Sequence, residues 1–144
     1  MKKQFSMTNL PYVPKIWATL VYFLLFIIVF VLFLGRTVEG LQIPILMEKF
    51  PGFYSHISNF SISFMVCLVA GYMGILASKK LTSAFIFGAL LILANFVYEW
   101  FVPFLNTPDK MDAYYGFVGT LMPFPYFYFY QKFGLKPNPK FKSK

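Results

Sequence analysis

The stretch Glu99–Gly119, EWFVPFLNTPDKMDAYYGFVG, decides how this chain is read. It carries Glu99, Asp109 and Asp112, three of the five acidic residues among 144, and it separates the third and fourth of four long apolar runs. Ionisable groups are costly next to hydrocarbon and are rare there unless they serve a purpose. Three carboxylates between two apolar runs therefore mark the mouth of a membrane hairpin.

Outward from that mouth, the runs cover about residues 16–34, 55–78, 81–101 and 111–133. Each is close to the ~20 residues a helix needs to cross a ~30 Å hydrocarbon core. The chain is 58% hydrophobic and only 12% charged, whereas soluble domains carry about 25% charged residues. The runs consume nearly all of it and leave no room for a separate soluble domain. The expectation is an all-α, polytopic membrane protein: one domain over 1–144, folded as a four-helix transmembrane bundle.

The net charge of +8 would suggest nucleic acid in a soluble protein, but its distribution gives it another meaning. Ten lysines, including Lys15, Lys79, Lys80, Lys132 and Lys136, flank the runs on one side with no acidic residue among them. The other side has Arg36, Lys49 and Lys110 against all five carboxylates. Short basic loops stay in the cytoplasm, which places both termini and the basic tail 134–144 inside, with outer loops at 35–54 and 102–110. The excess is read as topology plus attraction to anionic membrane lipids, not as nucleic-acid binding. The first run is longer than a 7–15-residue signal core and no A-x-A-like site follows it, so it is read as a retained helix. Cys67 lies mid-span and has no second cysteine to pair with.

Small residues prepare the helices for close packing: Gly71 and Gly74 on the second run, Ala84 and Gly88 on the third, Gly116 and Gly119 on the fourth. The segment IPILMEKF in the first outer loop is amphipathic and suits an interfacial turn. Arg36 and Glu39 stand three apart and could pair. Pro123 and Pro125 predict a kink in the fourth helix, and the tail after it reads as loose.

The topology gathers polar groups at the outer face. His56, the only histidine, begins the second run; Asn95 and Glu99, four apart, share one side of the third; Asp109, Asp112 and Tyr115 open the fourth. The plainer reading has the aspartates capping a helix N-terminus and Glu99 reaching headgroup water. A mixed site of His56, Glu99 and Asp112 has no recognised metal spacing, so no metal and no cofactor are expected. No glycine-rich phosphate loop, GxSxG or HExxH is present, and a catalytic role is not assigned.

The hairpin resembles the VanZ-like family of small bacterial membrane proteins. The residues that carry the likeness are Glu99, the pair Asp109-Lys110-Met111-Asp112, then Tyr115-Gly116 and Gly119, with His56 followed by Phe60 in the earlier span. It covers roughly residues 55–133, with Tyr115 where the family commonly has asparagine. The resemblance implies a multi-pass protein of the bacterial cytoplasmic membrane, linked with glycopeptide-antibiotic resistance and the cell envelope. On that reading the polar cluster His56, Asn95, Glu99, Asp109, Asp112 and Tyr115 binds a lipid-linked or cell-wall component. Two other functions fit the same sequence. One is a non-catalytic subunit or scaffold, self-associating or docked on a partner membrane subunit through its small residues. The other is a small transporter or channel with Glu99 as a proton-coupled carboxylate.

Overall fold

The computed structural model of the chain describes residues 10–101 and 109–141. Its centre is α3 (Phe53–Ser78, 26 residues). The buried positions Tyr54, Ile57, Ser61, Phe64, Leu68, Gly71 and Ile75 recur at alternating spacings of three and four along it. That is the three-four spacing by which a helix turns one continuous stripe toward its neighbours. Around α3 stand α1 (Ile16–Leu34), α4 (Thr82–Phe101) and α5 (Lys110–Leu121). Among the described residues, α1, α3 and α4 are the helices long and apolar enough to cross a membrane. Leu20, Phe23, Leu24, Ile27 and Ile28 of α1 and Phe85, Ile86, Leu90 and Leu93 of α4 are exposed. In water such a belt would forfeit about 25 cal/mol per Å2; against lipid tails it forfeits almost nothing.

The fourth run is not one helix. It forms α5 and a separate α6 (Phe124–Phe133), with 12 and 10 residues, broken at Met122-Pro123. The expected kink is thus a full interruption. Pro123 and Pro125 both lack an N–H, and their rings crowd the carbonyls four residues earlier, those of Gly119 and Leu121. The chain ends one helix and starts another, with the Phe127 N–H donating to the Pro123 carbonyl at 3.0 Å and the prolines in the first turn, where no donor is needed.

Two further departures lie outside the apolar runs. The all-α expectation omits a two-stranded antiparallel ribbon, β1 (Tyr12–Pro14) on β2 (Leu135–Pro137). The tail read as loose is therefore tied down: Lys15 N–H donates to Gly134 O at 2.7 Å, Asn138 N–H to Pro11 O at 3.0 Å, and Asn138 Nδ2 to Leu10 O at 2.8 Å. Beneath the ribbon Tyr126 donates to Ala18 O at 2.9 Å, and the rings of Tyr72 and Tyr130 stack 4.6 Å apart.

In the first loop, IPILMEKF supplies a six-residue α2 (Pro44–Lys49), exposed along its length. Arg36 turns to Ser58 Oγ on α3, across the loop rather than along it toward Glu39. The Ile43 N–H donates to Tyr54 OH at 2.9 Å, pinning the loop to the start of α3, and Gln42 Nε2 donates to Gly35 O at 2.9 Å, tying it back to the end of α1. Gly52 makes the entry turn at φ 84°, a conformation open to glycine at no steric cost. The expected outer loop 102–110 lies outside the described residues as far as Pro108.

The small residues that seemed free for partners are used within the chain. A Cβ on Gly71 would strike the Phe127 ring, on Gly74 Ser83 Oγ at 2.8 Å, on Gly88 the Phe124 ring at 3.0 Å, and on Gly119 the Phe60 carbonyl. Ala84 is fully buried.

Candidate functional site

The ribbon and the polar mouth lie at opposite ends of the bundle. His56 and Lys79 are separated along α3 by 23 residues, roughly 34 Å at 1.5 Å per residue, and the Lys79 ammonium sits 5.3 Å over the Tyr12 ring of the ribbon. His56 is in the first turn of α3, Glu99 in the last turn of α4, and Asp109 and Asp112 at the start of α5.

The start of α5 is built by its own sequence. Asp109 is the N-cap: its Oδ1 accepts the Met111 N–H at 2.8 Å, satisfying one of the helix's orphan donors. Asp112, three residues on, also lies where the helix dipole favours negative charge. This local arrangement turns both carboxylates toward α3. Nδ1 of His56 stands 2.7 Å from Asp112 Oδ1 and 3.6 Å from Asp109 Oδ2. A carboxylate oxygen accepts, so His56 donates through Nδ1–H to Asp112. The His56 and Asp112 side chains are each 21% exposed and that of Asp109 42%. The cluster is open to an incoming ligand.

Tyr115, one turn past Asp112, completes the wall, with its ring 5.3 Å from the imidazole. Tyr115 also lines an apolar groove of about 270 Å3, together with Leu46 of α2, Phe50 just after it, Phe53 and Phe60 of α3, and Tyr114 and Val118 of α5. Phe53, His56 and Phe60 are spaced three and four apart, so one face of α3 carries the imidazole between two groove residues. A polar cluster and an apolar groove therefore share a wall.

Asn95 is engaged one layer deeper. Its Nδ2 donates to Ser63 Oγ at 2.9 Å, and its amide lies where a Cβ on Gly116 would stand, 2.7 Å from Nδ2. Glu99 shares that face of α4 one turn nearer the mouth and is 3% exposed. It is thus enclosed rather than dipping into headgroup water, as the plainer reading of the sequence had it. Direct contact joins His56 to Asp112, Asp109 and Tyr115; Asn95 bonds to Ser63, and Glu99 is buried on the same face of α4. The groove residues Leu46, Phe50, Tyr114 and Val118 were not legible as a site, because in a chain this apolar each looks like any lipid-facing side chain.

No protein-family model, curated protein or solved structure matches the chain.

Proposed function

We propose that this is a VanZ-like integral membrane protein of the bacterial cytoplasmic membrane. Its outward-facing polar cluster binds the headgroup of an amphiphilic envelope component, whose hydrocarbon chain lies in the adjoining groove. The observation that carries this reading is the shared residue: Tyr115 is 5.3 Å from His56 and also lines the 270 Å3 apolar groove. A soluble polar ligand has no use for the groove, and a bulk lipid tail has none for the imidazole and carboxylates. A lipid-linked molecule uses both. The ribbon supports the orientation, since it holds the two lysine-rich terminal segments together at the end away from the cluster, the cytoplasmic end by the positive-inside rule. α5 and α6 together then make the fourth crossing, with Pro123 at the break fully buried and Met122 beside it exposed.

The scaffold alternative loses its most direct argument, because the glycine faces are filled by Phe127, Ser83 and Phe124 of the same chain.

The test is retention of lipid by the protein purified in a neutral detergent, read by native mass spectrometry. The wild type is expected to hold one amphiphile per chain. Asp112→Asn, which removes charge at constant shape, and Val118→Trp, which fills the groove, should each cut retention about tenfold, or 1.4 kcal/mol. Equal retention by all three proteins would sink the reading.

A further inference from the structure

The geometry points to a divalent-cation site formed by His56 Nδ1, Asp109 Oδ2 and Asp112 Oδ1, through which an anionic, phosphate-bearing headgroup is held. This inference rests on the proposed amphiphile binding and supplies its headgroup chemistry.

The three ligand atoms come from two helices and all lie within 4.8 Å of one another. Around a four-coordinate ion with bonds near 2.0–2.2 Å, neighbouring donors stand about 3.3 Å apart. The His56–Asp109 separation of 3.6 Å and the His56–Asp112 separation of 2.7 Å bracket that value. Side-chain rotation alone can close the set around an ion, with the metal replacing the Nδ1 proton. Asp109 divides its labour. Oδ1 stays on the Met111 N–H and keeps the helix capped, while Oδ2 faces the imidazole. Three ligands from the protein, on side chains 21–42% exposed, leave a position open toward the mouth, as in sites that bind a substrate oxygen.

Charge makes the ion necessary. As ligands to an ion, two carboxylates and one imidazole carry a formal −2, which by itself repels an anionic headgroup. A divalent ion cancels it and turns the cluster into an anion receptor. One imidazole with two carboxylates suits a first-row divalent ion such as Zn2+ or Mn2+, whereas Mg2+ and Ca2+ favour all-oxygen sets.

The experiment uses the full chain in dodecyl maltoside. ZnCl2 is titrated against a chromophoric chelator for the wild type, His56→Gln, Asp109→Asn and Asp112→Asn. Asparagine caps a helix as well as aspartate does, so Asp109→Asn should melt with the wild type while losing a charged ligand. The expected result is one Zn2+ per chain, weakened in each variant by at least the roughly tenfold that losing an outer-shell partner costs. No stoichiometric binding, or unchanged affinity in Asp109→Asn, overturns the site. A second arm measures retention of dodecyl phosphate with Zn2+ and with EDTA, and retention lost in EDTA supports the bridge. Equal retention in both overturns the bridge and leaves the amphiphile reading standing. Zn2+ bound without dodecyl phosphate held in either condition overturns the bridge and removes that reading, while the cation site stands.

Discussion

His56 and Asp112 are 56 residues apart in sequence and 2.7 Å apart in space. Their bond ties the first turn of α3 to the first turn of α5 across the mouth of the bundle. Hydrogen bonds that involve a charged group contribute about 1.5–3 kcal/mol, and partial exposure places this one at the lower end. A double-mutant cycle of His56→Ala and Asp112→Ala, followed by thermal melting in detergent, should give a coupling of about 1.5 kcal/mol. Additive effects of the two substitutions would mean that the bond holds nothing together.

Gly119 lies directly against the Phe60 backbone carbonyl. Backbone cannot swing aside as the end of a side chain can, so the two helices must separate to admit a methyl group. Gly119→Ala should cost about 2–3 kcal/mol, the upper part of the ~1–3 kcal/mol typical of overpacking. Gly40 has nothing within 4 Å of its Cβ position, and Gly40→Ala should leave the melting temperature unchanged. If the two variants melt alike, the close α3–α5 approach is wrong.

What the sequence conveyed and what it withheld follow from the same physics. Four apolar runs were legible because length and hydropathy are all that a candidate span needs, and three of them are single helices long and apolar enough to cross a membrane. α6 could not be separated from α5 on that basis, since hydropathy is blind to missing N–H groups, although Pro123 and Pro125 did mark the place. The ribbon was hidden because its strands, Tyr12–Pro14 and Leu135–Pro137, are three residues each and bracketed by the proline and lysine that usually signal loose chain. At the mouth, Asp109 and Asp112 gave themselves away as a cap, and the capping reading is correct for Asp109. Their second role, facing His56, depends on how α3 rotates. Its seam runs through Ser61 and Gly71, residues that no hydrophobic pattern picks out.

Phe127 occupies the place a side chain at position 71 would need, and it is completely buried. In a membrane the apolar alternative to this contact is lipid, so truncation loses packing rather than hydrophobic transfer. Phe127→Ala should therefore cost about 1–3 kcal/mol, less than the 3–5 typical of a soluble core. Gly71→Ala should be destabilising alone and neutral or favourable in the Phe127→Ala background, because the methyl group then enters vacated space. That sign change is read as non-additivity in a melting cycle; additivity would place the ring elsewhere.

The ribbon makes the most direct prediction about architecture. Val13 and Lys136 are Cα partners. They lie in step with the bonded pairs Lys15–Gly134 and Asn138–Pro11, which puts their Cα atoms about 5.5 Å apart. That is within disulfide range. With Cys67 changed to Ala, the pair Val13→Cys and Lys136→Cys should cross-link under mild oxidation, read as protection of both thiols from a polyethylene-glycol maleimide. Val13→Cys with Ser58→Cys should stay fully reactive, since those positions lie at opposite ends of the bundle. Free thiols in the first pair would separate the two terminal segments. They would also remove the structural support for placing both on the same side of the membrane, and with it the outward orientation of the His56 cluster.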